Sequence, residues 1–302
     1  MKWSSSRLFA FVVGCLWLAV GQPVVAEEVQ SEEIAEDEGG QEAAGESERG
    51  IRHMSRLQLR VHPLGLSHRS DTAFRMPLWD SDQRLLDGTY IDSGVTTALS
   101  PAYLWGGPFV EALPLAVLNL RAAAYFKGYF GTFGHLHVDA DGDGSREARN
   151  RTSEQGLAQS TTGWRVKAQA TPQMLIGRVV MTAETTLHRM VLDVEHPYYE
   201  PSFGLMFEPR ETIFETNPTV GYVFGSDPSK RYTVIGVRWE RTATWKSEQS
   251  KDKVGVVWNV QLPSSLMQWG SPEIAGFAAL RLNHPERRVA SPFLGVQFTV
   301  NF

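Results

Sequence analysis

The last nine residues of the chain alternate strictly between apolar and small or polar side chains. The even-numbered positions are all apolar and end on an aromatic ring, at Leu294, Val296, Phe298, Val300 and Phe302. Side chains of a β-strand point to its two faces in turn, so this period predicts a strand with one apolar face. Because such a strand needs partner strands, this feature constrains the fold more than any other.

The same two-residue period recurs along the chain from about residue 51. In residues 253–262, Val254, Val256 and Trp258 lie on one face, and Lys253 and Asn259 lie on the other. These segments are bounded by Gly, Pro, Asn, Asp and Ser, which favour turns. No stretch after residue 26 has the roughly 18 uninterrupted apolar residues that a spanning helix needs. We therefore predict an all-β protein built from antiparallel strands.

The C-terminal strand resembles the last strand of bacterial outer-membrane β-barrels. In those proteins the terminal Phe and the alternating apolar residues before it are recognised by the barrel assembly machinery. The resemblance implies an antiparallel transmembrane β-barrel in a Gram-negative-type outer membrane, in contact with its lipids and lipopolysaccharide. It also implies an assembly signal at Phe298, Val300 and Phe302. A closed barrel satisfies every backbone hydrogen-bonding group inside lipid, which an open sheet cannot do.

Counting the alternating segments gives twelve strands, an even number as in bacterial single-chain barrels. They are predicted near residues 54–62, 66–78, 89–100, 105–113, 118–131, 161–171, 178–192, 211–224, 231–245, 253–263, 272–283 and 290–302. This count places the long connections outside the cell and the short, proline-containing turns in the periplasm. Ten or fourteen strands remain as alternatives.

The N-terminal region is divided into a signal and an arm. Residues 1–26 have two basic residues, an apolar core and small residues before Ala26, which predicts a removable secretory signal. The only cysteine, Cys15, lies in this segment, and a lipobox around it is the alternative interpretation. Residues 27–50 hold ten acidic residues and one basic residue, so we predict a disordered acidic periplasmic arm. The barrel is then predicted over residues 51–302.

The predicted phases turn many charged side chains into the lumen. The luminal residues that we expect are Arg60, Arg121, Lys127, Arg165, Lys167, Arg178, Glu184, His188, Glu211, Glu215, Arg238, Glu240 and Arg281. Five of the basic residues come from three successive strands, and we call this group the basic surface: Arg121, Lys127, Arg165, Lys167 and Arg178. In a water-filled pore such a surface favours anionic or zwitterionic solutes. Alternatively, these side chains fill a narrow barrel as a paired ionic core.

One predicted loop has carboxylates at alternate positions. Asp139, Asp141, Asp143 and Ser145 resemble the first half of an EF-hand loop, which implies possible Ca²⁺ binding by residues 139–150. The second half departs from that pattern, because the twelfth position is Asn150 rather than a bidentate Glu. We predict no other cofactor.

Two His-x-Ser pairs, His53-Met54-Ser55 and His68-Arg69-Ser70, have the spacing used by outer-membrane phospholipases and lipid A deacylases. Neither pair is followed by the Asn-Gly or Asn-Ala context of those families, and we predict no catalytic residues. The scattered basic residues do not predict nucleic-acid binding. The leading hypothesis is a passive pore or small-solute binding channel. The alternatives are a filled barrel that acts through the external loop 132–160, and a lipid-modifying enzyme.

Overall fold

A computed structural model describes residues 49–61, 64–79, 81, 83, 85–131, 137–138, 160–200, 203–225, 233–262, 271–285 and 292–301. The predicted signal, residues 1–26, and nearly all of the predicted arm lie outside these residues. Among the residues described, no helix is long and apolar enough to cross a membrane.

Twelve antiparallel strands form one closed barrel, which confirms the predicted fold class and strand count. The barrel strands are β1 (Gly50–Val61), β2 (Leu64–Pro77), β3 (Tyr90–Ser100), β4 (Tyr103–Leu115), β5 (Leu118–Phe130), β7 (Ser160–Ile176), β8 (Val179–Leu192), β11 (Arg210–Phe224), β12 (Thr233–Thr244), β13 (Ser250–Gln261), β14 (Ser271–Asn283) and β15 (Pro292–Asn301). Each barrel strand pairs with the barrel strand that follows it in the chain. The first strand closes the sheet on the last, in a register that runs from Met54 opposite Asn301 to Arg60 opposite Gly295.

Three short strands lie in the connections between barrel strands. They are β6 (His137–Val138), β9 (Tyr198–Glu200) and β10 (Leu205–Phe207), and they form a small antiparallel sheet with β9 in the middle. Strands β9 and β10 belong to the connection between β8 and β11. The period-two rule did not predict them, because strands of two or three residues are too short to show alternation.

The two ends of the barrel differ. Gly50 and Asn301 lie at one end, which we call the terminal end, together with turns at residues 116–117 and 177–178. The long connections 131–159 and 193–209 leave the other end, which we call the loop end. The terminal end also carries the connections 78–89 and 262–270. Outer-membrane barrels have short periplasmic turns and longer extracellular loops, and the orientation of this barrel stays a prediction.

The exposure of the side chains confirms the predicted faces. In β5, buried Arg121, Tyr125 and Lys127 alternate with exposed Leu120 and Phe126. Large apolar side chains are exposed all round the barrel, among them Leu57, Val95, Phe126, Trp164, Val237, Val256 and Leu280. An exposed apolar surface of this extent matches a lipid-facing surface. The charged residues of the strands mostly point the other way, into the lumen.

One boundary was predicted wrongly. Strand β7 continues through Pro172 to Ile176, where a two-residue turn, Gly177–Arg178, leads into β8. Pro172 is tolerated because the pairing of β7 with β8 is interrupted between Ala170 and Gln173. Gly177 adopts a φ of 57° in the first turn position, where glycine is favoured in a two-residue hairpin. Arg178 is therefore an exposed turn residue at the terminal end and does not line the lumen.

The two faces of β13 can be tested by charge insertion. Val256 is exposed on the outer face, whereas Asn259 lies on the inner face of the same strand. We expect Val256→Arg to lower the free energy of unfolding by about 2–4 kcal/mol, because it places a charge in lipid. Asn259→Arg, the matched control, should cost much less. Urea titration in lipid vesicles measures both, and equal costs or the reverse order would contradict the assigned faces.

Candidate functional site

The lumen holds most of the predicted site residues. Arg121, Lys127, Arg165, Lys167, Glu184, His188, Glu211, Glu215, Arg238, Glu240 and Arg281 all lie on the inner face of their strands. Arg60 lies in β1 opposite Gly295, but its side chain is outside the described part of the structure. Arg178 is excluded by the turn described above. The sequence therefore identified the luminal positions but not the contacts that they make.

An ionic network occupies the lumen beside β2, β3, β4 and β5. Arg121 donates from Nη1 to Glu111 Oε2 at 2.8 Å and from Nη2 to Asp71 Oδ2 at 3.2 Å. Asp71 also pairs with Arg69 at 2.7 Å and accepts a hydrogen bond from Thr96. These groups are mostly buried, so each charge is matched by a partner at close range. This side of the lumen agrees with the predicted alternative of a paired ionic core.

Arg69 and Asp71 were absent from the predicted luminal set. They occupy alternate positions of β2, on the face that also carries Arg75. Arg75 pairs with Asp92 of β3 at 2.7 Å. The signal was therefore present as period-two alternation of charges in residues 69–75. It was overlooked because the outer face of the same segment is also polar, at His68 and Ser70.

The connection between β8 and β11 extends across the loop end of the lumen. Its described residues, 193–200 and 203–209, form what we call the inserted segment. A buried apolar cluster joins it to the inner faces of β5, β8 and β11. The cluster consists of Tyr198, Phe203, Leu205 and Phe207 from the segment and Tyr129, Met190, Leu192 and Ile213 from the barrel. Burial of these side chains stabilises the segment inside the barrel rather than above it.

Polar contacts fix the inserted segment on both sides of the lumen. On the β5 side, buried Glu200 lies 3.2 Å from Lys127 Nζ and accepts a hydrogen bond from the Tyr129 hydroxyl. On the β13 side, Lys251 donates to the Phe203 carbonyl. The backbone N–H of Met206 donates to Gln249 Oε1 at 3.0 Å. The segment therefore narrows the loop end of the lumen.

Glu211 was predicted to face the lumen, and its contacts show that it also has a structural role. It lies on the inner face of β11 and is fully buried. Its carboxylate accepts backbone hydrogen bonds from Trp245, Lys246 and Ser247 at 3.1, 2.8 and 3.1 Å. It therefore holds the turn between β12 and β13 and does not face a solute path. Sequence could not reveal this, because the bonds join residues that are more than thirty positions apart.

A cavity of about 870 Å³ remains on the other side of the lumen, beside β8 and β11 to β15. It runs from Leu175 and Val223, near the terminal end, to Phe203 of the inserted segment. Its charged lining residues are Glu215, Glu240, Arg238, Lys251, Lys253 and Arg281. Four basic residues against two acidic ones give this cavity a positive bias.

The charges of the cavity are only partly paired with one another. Glu240 contacts Lys253 and lies 3.8 Å from Arg238 Nη1. Glu215 Oε2 lies 2.8 Å from His188 Nε2. Arg281 donates from Nη1 to the Pro292 carbonyl at 3.1 Å. The arrangement suits an anionic or zwitterionic solute.

Only some side chains of the basic surface form ion pairs with acidic residues. Arg121 and Lys127 have acidic partners, as described above. Arg165 and Lys167 form no ion pair within the described ranges, although Arg165 lies 5.5 Å from the Trp105 ring and 5.1 Å from the Tyr125 ring. Lys167 is opposite His188 in the β7–β8 register, and His188 contacts Glu215 of the cavity. Neither residue lines the cavity itself, and Lys167 is connected to it only through the His188–Glu215 contact.

The other predicted sites lie partly or wholly outside the described residues. Asp139, Asp141, Asp143 and Ser145 lie outside the described residues, so calcium binding stays a prediction. Within the residues that can be described, no group of three His, Cys, Asp or Glu side chains is suited to hold a metal ion. Phe298 and Val300 lie on the outer face of β15, while Phe302 is outside the described residues. Recognition of this strand by the assembly machinery also stays a prediction.

Comparison with known proteins identifies no family for this chain. No family model and no curated protein matches the chain. The β domain of the Bordetella autotransporter BrkA aligns at 14% identity with a TM-score of 0.43, over 84% of this chain and 100% of that one. LpxR from Salmonella typhimurium aligns at 9% identity with a TM-score of 0.39, over 83% of this chain and 99% of that one. OmpT, an outer-membrane protein of Vibrio cholerae, aligns at 12% identity with a TM-score of 0.34, over 86% of this chain and 100% of that one. The fold is shown by the closed twelve-strand antiparallel barrel of the structure itself, and these similarities add no role to it.

The attachment of the inserted segment can be tested at Lys127 and Glu200. Both side chains are almost fully buried, at 3% and 1% exposure. Glu200→Gln leaves the ammonium group without its anion, so we expect it to lower the free energy of unfolding by about 3–5 kcal/mol. Lys127→Met should also destabilise the barrel. The double variant should cost less than the sum of the two, because neither charge then remains buried alone. Additive costs in denaturant titration would contradict the pairing.

Proposed function

We propose that the protein is an outer-membrane barrel that binds or conducts small anionic or zwitterionic solutes. The observation that carries this proposal is the 870 Å³ cavity with its excess of basic residues. A solute of this class would gain from Arg238, Lys253 and Arg281, and its own positive group would be matched by Glu215 or Glu240. In a narrow lumen with low-dielectric walls, such fields concentrate counter-ions.

The inserted segment supports a restricted passage rather than a wide pore. It narrows the loop end, while the cavity runs toward the terminal end, which is periplasmic in the proposed orientation. Solutes would enter past Phe203 and Gly204, two residues of the segment that line the cavity. We therefore propose small conductance and selectivity by charge.

A second candidate function is a filled barrel that acts through its external loops. The ionic network of Arg69, Asp71, Arg121 and Glu111 favours it, because these side chains occupy their side of the lumen with matched charges. Planar-bilayer recording separates the two functions. A filled barrel would show no resolvable conductance, and reversal of its luminal charges would lower its thermal stability.

Reversing Arg165 and Lys167, which form no ion pair among the described residues, tests the pore proposal. We expect Arg165→Glu with Lys167→Glu to shift the zero-current potential in a KCl gradient from anion-favouring toward cation-favouring. The two residues lie within about one Debye length, roughly 8–10 Å at physiological salt, of any ion in a lumen this narrow, so screening is incomplete.

The matched control is Arg178→Glu with Arg210→Glu. Both of these arginines are exposed outside the lumen, so the change in net charge is the same. We expect it to leave the zero-current potential nearly unchanged. A conducting parent whose selectivity ignored the luminal reversal, or responded equally to the control, would contradict the proposal.

A further inference from the structure

The outer face of β1 and β2 carries a polar cluster in an otherwise apolar surface. His53 and Ser55 of β1 and His68, Ser70 and Thr72 of β2 occupy alternate positions, in phase with exposed Leu57, Leu59, Leu66 and Phe74. Apolar residues bound the cluster on both sides along the strands, at Ile51 and Phe74 on one side and Leu59 and Leu66 on the other. It is therefore a polar island on the surface that faces lipid.

The antiparallel register brings each serine beside the histidine of the other strand. Ser55 lies directly opposite Ser70, with His53 opposite Thr72 and His68 opposite Leu57. Ser55 Oγ lies 2.7 Å from His68 Nε2, a short hydrogen bond. Ser70 Oγ lies 3.5 Å from His53 Nε2. The His-x-Ser pairs found in the sequence therefore act across strands and not within them.

A hydrogen-bonded chain orients the second serine. His53 Nδ1 lies 2.8 Å from Thr72 Oγ1. With the Thr72 hydroxyl donating to Nδ1, the proton of His53 resides on Nε2 and is directed at Ser70 Oγ. The Ser70 hydroxyl hydrogen is then free to be donated elsewhere. Because Ser55 and Ser70 are opposed residues of neighbouring strands, their Cβ atoms lie about 4.5–5.5 Å apart.

Hydroxyl and imidazole groups are costly to place against lipid, and a surface that served only to contact acyl chains would carry apolar residues here. A serine hydroxyl within hydrogen-bond distance of an imidazole is the arrangement of an activated nucleophile and its general base. In such sites a third group, often a carboxylate, orients the histidine. Asp71 and Arg69 point into the lumen, so a hydroxyl group takes the place of the carboxylate here.

We propose that Ser55 and His68 form an acyl-transfer site that opens to the membrane and cleaves carboxylic esters of membrane lipids. Ser55 Oγ would attack the ester carbonyl carbon while His68 Nε2 takes its proton. Ser70 would donate its hydroxyl hydrogen to the developing oxyanion. The bond to the lipid alkoxide then breaks, and the leaving oxygen receives the proton from His68.

Water completes the reaction. It attacks the acyl group on Ser55, His68 accepts the water proton, and collapse of the intermediate releases a fatty acid and returns the proton to Ser55. In this scheme Ser55, His68 and Ser70 touch the substrate. His53 and Thr72 are positioning residues, because they act through Ser70.

The register indicates which leaflet supplies the ester. Met54 lies opposite Asn301 and Ser55 opposite Val300, at the end of the last strand. The site therefore lies in the half of the barrel that contains Gly50 and Asn301, which is the periplasmic half in the proposed orientation. Lipids would reach it by lateral diffusion, without passing through the lumen.

The test uses the mature barrel refolded in vesicles of phosphatidylethanolamine and phosphatidylglycerol. We expect a fluorophosphonate probe to label Ser55, located by peptide mass spectrometry, and free fatty acid to appear with time. Ser55→Ala and His68→Ala should each lower fatty-acid release by at least about 100-fold, the usual contribution of a nucleophile or general base. Heat-modifiable gel mobility verifies that each variant is folded.

The matched control is Ser93→Ala. Ser93 is an exposed serine on the outer face of β3, opposite Phe74 and Val110, and has no histidine beside it. We expect full labelling and full release. Folded parent protein that neither takes the probe nor releases fatty acid would overturn the proposal, as would unchanged release from Ser55→Ala. Labelling at Ser70 would overturn the assignment of the nucleophile.

The positioning residue Thr72 has a separate readout. Thr72→Val should lower kcat for a short-chain ester substrate without changing KM, and Thr72→Ser should restore it, because only the hydroxyl to His53 matters. Failure of the serine variant to restore kcat would remove Thr72 from the site. Ion conductance does not depend on these residues. Absence of esterase activity would therefore leave the pore proposal intact, and absence of conductance would leave the acyl-transfer proposal intact.

Discussion

The fold depends on pairing the first strand with the last. Inside a bilayer each unpaired backbone N–H and C=O costs several kcal/mol, so a sheet can span it only when it has no edge. Strands β1 and β15 remove the edge through the register from Met54–Asn301 to Arg60–Gly295. The period-two alternation of the chain then has a single consequence all round the barrel. One set of side chains must face lipid, and the other set shares a confined lumen.

Confinement explains how the luminal charges are arranged. Twelve strands enclose too little space for many hydrated ionic side chains, so cations and carboxylates of neighbouring strands pair wherever they meet. Arg121 is matched by Asp71 and Glu111, and Lys127 is matched by Glu200. The apolar cluster of the inserted segment fills part of the remaining volume. The side beside β8 and β11 to β15 keeps an open cavity with a positive bias.

Alternation alone was sufficient to predict the barrel and most of its inward residues. In a strand of known phase, the face of Arg165 or Val256 follows from its number being odd or even. Arg178 was wrongly assigned to the lumen because β7 was predicted to end just before Pro172. The position of the tight turn depends on the register between β7 and β8, which alternation does not give. Glu211 was predicted to be luminal, but its partners and those of Glu200 could not be predicted, since they lie far away in the chain and depend on how connections fold.

The polar island shows the same limit. His53, Ser55, His68 and Ser70 were visible as two short motifs, but each was considered within its own strand. Only the opposition of Ser55 and Ser70 reveals that the contacts cross between strands. A shift by one residue in this register would move one strand's set to the lumen and separate the pairs. Functional geometry on a barrel is thus determined by register, which composition and period do not specify.

Thiol accessibility tests the central claim that the inner face of the cavity is wet and favours anions. Cys15 is the only cysteine in the chain, so Thr219→Cys and Val220→Cys each place a single thiol after residue 49. Thr219 lines the cavity beside Arg238, and Val220 is exposed on the outer face. In lipid vesicles, water-soluble methanethiosulfonates should modify the Thr219→Cys barrel, and the anionic reagent should react faster than the cationic one. The Val220→Cys barrel should stay unmodified. Modification of Val220→Cys alone, or a faster cationic reagent at position 219, would contradict the account.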